Sequence, residues 1–572
     1  MMNKLSTIIL AGSLVIPFAV SAQTDPKKTP QEEQNTPSMS TTVVTVGSRD
    51  IKLRDAYRIT AQPSLFDTTI TKTGVRYEIR NAFAKTKYEV QPIQAANLRI
   101  VEPLTRLYRV YARAGVGMYT SPIGDLYINS LRSRKGGYGI SYNHYSSAGG
   151  VKNVLSNGAF STNKAQLWGK TFVGKNGLSG NFNYQRDVNH FYGYNPDRAV
   201  LVGENALSMD SIRQQFQYLG GGVKFESYND DLTKLNHSEE VSYYGFSKDG
   251  AGNEQNIKAN LGFTKMVNKE LLGLKLGLDN NTFKTGDSAN TSYTNTIFNF
   301  SPQISTNGEK YKLKLGLAVV GQFDSTSKFY FFPDAEFSYY LVDNVLMPYA
   351  GLGGGVNRNS YRSSFMKNPF LVDAPDLRNT VEKFRVYIGL RGNFSAGSSF
   401  NLQVAQSSLS NMQLFVNDTA GLQNTFQAVY DNSAVTSITG EVSFHQSQKF
   451  QLTIRGEYFS YNMATEQRAL NLPNAKGTVT GKYNVMDKLY VTADFFVQSN
   501  RFARIQSLTD PSGYELVNID KVIDLNLGFE YRYTKRLSAF INFNNLASQK
   551  YQRYYGYRVQ PINVFGGLTF AF

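Results

Sequence analysis

The sequence predicts an all-β chain: a transmembrane antiparallel β-barrel of about 22 strands, preceded by a short N-terminal periplasmic extension. Three observations predict it. From Leu107 to Phe572, segment after segment alternates apolar with polar residues at the period of a strand. The connections between these segments carry turn residues, as in Arg134-Lys135-Gly136-Gly137, Gly174-Lys175-Asn176-Gly177, Thr306-Asn307-Gly308 and Asp510-Pro511-Ser512-Gly513. The last strand, Ile562 to Phe572, puts Ile562, Val564, Leu568, Phe570 and Phe572 on one face and ends the chain on an aromatic ring.

Taken in order, Leu5 to Val20 is a short, mainly apolar run that follows Lys4 and precedes Val20-Ser21-Ala22. It reads as a secretory signal peptide, residues 1–22, cleaved after Ala22. Residues 23–40 are polar and carry Pro26, Pro30 and Pro37, so they read as a disordered linker. Residues 41–104 form the N-terminal extension, which opens on the β-prone run Thr42, Val43, Val44, Thr45, Val46. That run resembles the TonB box, an extended segment offered to an energy-transducing periplasmic protein by strand addition. The remainder of the extension is largely polar and too short for a full plug domain, which leaves a reduced plug or a periplasmic strap.

The barrel is expected over residues 105–572. Leu272, Leu274, Leu276 and Leu278 alternate with Gly273, Lys275, Gly277 and Asp279. Leu313, Leu315 and Leu317 alternate with Lys312, Lys314 and Gly316, and Phe384, Val386, Ile388 and Leu390 alternate with Arg385, Tyr387, Gly389 and Arg391. Ile454 neighbours Arg455, and Ile523 to Tyr533 sets an oily face against Asp524, Glu530 and Arg532. An apolar wall open to lipid requires closure, because an open edge there leaves backbone groups unpaired. Lys312, Lys314, Arg385, Arg391, Arg455, Asp524, Glu530 and Arg532 are therefore expected to face the lumen, where the cations would bias passage toward anionic solutes. The longer stretches Tyr361 to Val381 and Arg501 to Asp520 read as extracellular loops.

The aromatic content, 13%, resides almost wholly in 37 Tyr and 38 Phe and suits strands and interfacial girdles; Trp168 is alone. Without cysteine there is no disulfide framework, thiolate metal site or cysteine nucleophile. The formal charge of +16 comes from scattered Lys and Arg, so it suits anionic lipid or a cationic lumen rather than nucleic acid.

The closing segment carries a further signal. Phe543-Asn544-Asn545-Leu546, then Lys550-Tyr551-Gln552-Arg553-Tyr554-Tyr555-Gly556-Tyr557, then Gly567-Leu568-Thr569-Phe570 resembles the final strands of TonB-dependent receptors. The terminal aromatic likewise resembles the insertion signal of Gram-negative outer-membrane barrels. These resemblances imply an outer-membrane location, contact with outer-membrane lipid and the barrel-assembly machinery, and uptake or passage of a solute, with a plug that is reduced or supplied by a separate plug or lid protein. The alternative is a non-transporting barrel that scaffolds or assembles envelope proteins.

No enzyme, cofactor or metal is expected. His190, His237 and His445 lack companions at ligand spacing, and Gly351 to Gly355 is not followed by the Lys-Ser/Thr of a phosphate loop. His144 and Ser146 share a strand face, in a stretch loosely similar to the His-x-Ser-Asn-Gly signature of outer-membrane phospholipase A. Ser147 stands where that signature has asparagine, and the reading adopted is a polar strand end near a girdle.

Overall fold

The computed structural model describes residues 107–572, apart from 153, 155–157, 195–211, 287–290, 343–344, 396, 420–422, 447–448 and 508–512. The signal-peptide, linker and extension expectations, including Thr42 to Val46, lie outside the described residues. Twenty-two strands form one antiparallel sheet. Each wall strand pairs with the next along the chain, and the last, Asn563–Ala571, pairs back onto the first, Val110–Gly117, from Tyr111↔Ala571 to Gly117↔Phe565. The sheet is therefore a barrel without edges, the arrangement that leaves no strand backbone unpaired in lipid.

The two faces of the wall are fixed by packing. Phe216, Phe246 and Phe283 gather around the one described helix, Tyr361–Lys367, which lies in a connection and not in the wall. Their face is the inner one. Followed through the pairing registers, it passes from Phe283 by Glu254 and Phe246 in one direction and by Tyr293 in the other, and returns to itself around the barrel. The opposite face exposes Leu278, Leu315, Leu317, Val386, Ile388, Val404 and Leu568, as an acyl-chain contact requires. Aromatic rings bound this apolar band, with Tyr311, Phe337, Tyr483, Tyr531, Phe570 and Phe572 near one end and Phe323, Phe329 and Phe331 near the other.

The connections sort by length. At the end where the wall starts and finishes they are short, as at 174–175, 268–269 and 533–536. At the opposite end lie 148–159, 358–379, 464–474, 499–521 and 545–562. Two of these carry small hairpins of their own, Arg501–Gln506 with Tyr514–Ile519 and Gln552–Tyr554 with Tyr557–Arg558. Asp510 to Ser512, expected as a turn, lie outside the described residues; the strands before and after them, Arg501–Gln506 and Tyr514–Ile519, pair with each other inside a long loop and are not part of the wall.

Candidate functional site

The long loops do not stand away from the barrel; they fold inward and meet across its mouth. Connection 358–379 supplies the centre. Its helix begins with a capping box, in which the Ser360 hydroxyl accepts from the Ser363 amide at 3.1 Å and the Ser363 hydroxyl accepts from the Ser360 amide at 2.8 Å. Fully buried Glu254, on the inner wall, accepts from the amides of Tyr361 and Arg362 and from the Tyr244 hydroxyl at 2.7 Å. A buried carboxylate is tolerated when such donors surround it, and this one ties the first helical turn to the wall. Lys248 pairs with Asp373, Arg358 with Asp279 at 3.3 Å, and the buried Asn295 amide donates to Asn379 at 2.8 Å. Four polar links thus fasten this loop to the neighbouring strands.

Apolar contacts join it to the other loops. Phe370 stacks on Tyr557, which is wholly buried together with Phe426. Leu371 bridges Phe426, with the Val372 amide donating to the Phe426 carbonyl at 3.0 Å and the Phe426 amide donating to the Phe370 carbonyl at 2.9 Å. Gly556, at φ 81°, turns the chain so that Tyr557 points back under the loops, a conformation glycine adopts without strain. Tyr554 donates to the Lys367 carbonyl at 2.7 Å, and Tyr192 to the Arg558 carbonyl at 2.9 Å. Burial pushes the Tyr192 and Tyr554 hydroxyls up to about 12 and raises Tyr361 and Tyr557 further, so all four act here as neutral donors or apolar rings.

Beneath this roof lies a cavity of about 400 Å³. Val151, Gly158 and Ala159, with connections 358–379 and 545–562, cover it, and its floor is the inner face around Asp524, Asn526 and Asn563. Tyr551 donates to one Asp524 oxygen at 2.8 Å; burial and this hydrogen bond both raise the tyrosine's pKa. The other Asp524 oxygen is buried without a partner, as is the side-chain oxygen of Asn563. Arg553 lines the same space and makes no ion pair among the described residues.

All eight positions expected in the lumen lie on the inner face, but only Asp524 reaches the cavity. Lys314 pairs with Asp334 at 2.6 Å, Arg391 with Glu336 at 3.5 Å, and Arg455 with Glu457 at 2.8 Å and Glu441 at 3.5 Å. Carboxylates therefore offset the positive charge at these three positions. Arg385 donates to Gln403 at 3.1 Å, Lys312 lies 5.6 Å from the Tyr340 ring, and Arg532 stacks 4.0 Å above Tyr490 beside Glu530. Trp168 is also on the inner wall, with its indole so close to Gly139 that a Cβ there would come within 2.3 Å of the ring nitrogen.

His144 and Ser146 do meet, Nε2 to Oγ at 3.0 Å, and Nδ1 lies 2.8 Å from the Asn163 amide oxygen. This cluster sits on the outer face, as the register of His144 with Gly124 and Asn163 requires. Acyl transfer also needs convergent donors for the oxyanion, and strand backbone spends its amides on the ladder. Sequence reading missed Glu254, Phe370 and Asn563, which act through partners far away in the chain. The tyrosine-rich run Tyr551 to Tyr557 was its one pointer to the roof.

No protein-family model matches the chain, and no curated protein matches it. Solved structures do. The pyoverdine outer-membrane receptor FpvA from Pseudomonas aeruginosa, bound to pyoverdine, superposes with a TM-score of 0.62 at 12% identity, covering 82% of this chain and 79% of its own. The FrpB iron transporter from Neisseria meningitidis gives 0.63 at 11%, covering 82% of each chain. The copper transporter OprC gives 0.60 at 13%, covering 82% of this chain and 84% of its own. The barrel has the TonB-dependent receptor fold. In this chain the described part of that TonB-dependent receptor fold is the wall and its loops, and the expected reduced plug falls among residues that are not described.

Proposed function

We propose that this protein is an outer-membrane barrel that receives a solute at the loop-covered mouth and passes it inward. Residues 41–104 then act as a reduced plug, with Thr42 to Val46 presented to an energy-transducing periplasmic protein. The observation that carries this reading is the cavity under the inward-folded loops, lined by polar residues such as Asp524, Asn526, Arg553 and Gln560 at the entrance to a 22-stranded lumen. A scaffold barrel has no need of a polar chamber there. Its neighbours in fold, named for a pyoverdine receptor, an iron transporter and a copper transporter, are in keeping with it.

The test is single-channel conductance in a planar bilayer. The mature protein, a variant lacking Thr41 to Pro103, and one lacking both that stretch and residues 361–377 are compared. A closed parent with conduction appearing on removal of the extension, or of the extension and loop together, supports a gated solute path. Silence in all three overturns it and favours the scaffold.

A further inference from the structure

We infer that the end of the barrel with short connections carries a basic arc that binds anionic phospholipid in the adjacent leaflet. The assignment depends on the barrel's place in the outer membrane and not on whether it passes a solute. In transmembrane barrels the short turns are periplasmic, so that leaflet is the inner one.

The cations are grouped by the order of the strands. The consecutive short connections 447–449, 486–488, 533–536, 130–135 and 174–175 run around the wall across its closing seam. They carry Lys449, Lys488, Lys535, Arg536, Arg134 and Lys175, with Arg132 and Lys135 beside Arg134. All of these are exposed, and none makes an ion pair among the described residues. Asp487 is the one acidic side chain in these connections, and its carboxylate accepts from the Asn484 amide at 2.6 Å. Elsewhere on the same rim the charges balance: among the described residues of the other short connections, Lys234, Lys269 and Lys310 are matched by Asp230, Asp231 and Glu309.

The depth of the arc follows from the apolar side chains next to it. Val173 ends the outward-facing positions that include Leu167, and Tyr533 follows Tyr531 just past the end of its strand. Val173 is 71% exposed, Tyr533 68%, and Met486, in its turn, 89%. Side chains so apolar and so exposed are stable in hydrocarbon. Lys175, Lys535 and Lys488 each follow one of them by two residues, at most about 7 Å along the chain. Their long stems then place the ammonium groups among the lipid phosphates. At the opposite end the outer face turns polar before the strands finish, through the paired positions His144, Asn163, Arg186 and Gln217. The apolar band is therefore flush with the short connections.

Charge and depth together select the occupant. A soluble acidic protein would have to reach past the headgroups to meet these side chains, whereas a lipid phosphate is already at their level. Unpaired cations there favour lipids of net negative charge, phosphatidylglycerol and cardiolipin, over zwitterionic phosphatidylethanolamine, by about fivefold for each Lys or Arg close to the surface.

The experiment is native mass spectrometry of the purified full chain, equilibrated in neutral detergent with an equimolar mixture of these three lipids. Retention of the two anionic lipids about tenfold or more above phosphatidylethanolamine is expected. A variant combining Lys449→Gln, Lys488→Gln, Lys535→Gln, Arg536→Gln, Arg134→Gln and Lys175→Gln should lose that preference, whereas one combining Lys234→Gln, Lys269→Gln and Lys310→Gln should keep it. Resistance of the unheated protein to unfolding in dodecyl sulfate verifies that each variant retains its barrel. If the sixfold variant does not fold, Lys535→Gln with Arg536→Gln decides the matter, with an expected loss of about fivefold or more. Equal retention of the three lipids, or a preference that the arc substitutions leave intact, overturns the assignment. Displacement of the anionic lipids by equimolar poly-L-glutamate also overturns it and makes the arc a surface for an acidic polypeptide.

Discussion

The ring of Phe370 lies on the ring of Tyr557 with centroids 3.5 Å apart and planes 19° from parallel, joining connection 358–379 to connection 545–562. Few contacts in the roof bring together so much apolar surface from two separate loops. Replacing Tyr557 by Ala is expected to cost the roof about 3–5 kcal/mol, the usual range for deleting a buried aromatic. Trypsin cleavage after Arg362 and Lys367 should accelerate by about a hundredfold or more, since cutting tracks the population of the open form, while the wall keeps its thermal stability. Unchanged cleavage would show that the stack does not hold the roof.

Glu254 predicts a second effect. Glu254→Gln keeps the shape but replaces one accepting oxygen by an NH₂ group facing helix amides, at a cost of about 1–3 kcal/mol. Hydrogen exchange at Tyr361 and Arg362 should quicken in the variant and stay unchanged on the distant strand Ala475–Val485. Equal protection in both proteins would remove Glu254 from the anchoring of the helix.

Alkaline pH should open the roof. Tyr192 and Tyr554 hold their protons to about 12, against 10.0 for a free tyrosine, because burial disfavours the phenolate. Raised folded values mean that their contribution is complete below pH 10 and is lost as the pH climbs through the folded values near 12. Tyrosinate absorbance should show a late-titrating class over that interval, accompanied by increased proteolysis of 358–379. A single transition centred at 10 would contradict the burial.

The paired charges of the wall carry a fourth expectation. Glu336 accepts from Tyr387 at 2.9 Å and neutralises Arg391, so Glu336→Gln exposes a net positive charge to the lumen. In a form of the protein made conducting by deletion of the extension and loop, the reversal potential in a salt gradient should move toward the chloride value. No movement would mean that ions do not pass this part of the wall.

For the outer-face cluster, the expectation is absence of chemistry. Phospholipid hydrolysis by the parent and by His144→Ala should be equal and at background, because the His144, Ser146 and Asn163 contacts come without an oxyanion site. A rate that falls in the variant would reverse that conclusion.

The wall was legible in the sequence because lipid imposes a period of two that each strand displays by itself. Leu315 and Lys314 alternate locally, and their faces follow from that alternation without knowledge of any partner. Loop positions 361–381 and 501–520 were also legible, since the alternation stops there. The roof was not. Phe370 meets Tyr557, and Glu254 meets Tyr361, through contacts whose spacing is fixed by closure of the barrel, and no local pattern marks a loop that folds inward. The expected anionic bias failed to anticipate Asp334, Glu336, Glu441 and Glu457 for a related reason: alternation gives the face of a charge but not its cross-strand neighbour. Register supplies that neighbour, as in Arg455↔Glu441.

The lone indole of Trp168, on the inner wall against Gly139, makes the protein its own spectroscopic gauge. With a single tryptophan in the sequence, the wavelength of its emission reads the wetness of the barrel interior directly. Any polypeptide or solute that enters or leaves that space at its level will be registered as a colour change, without a label.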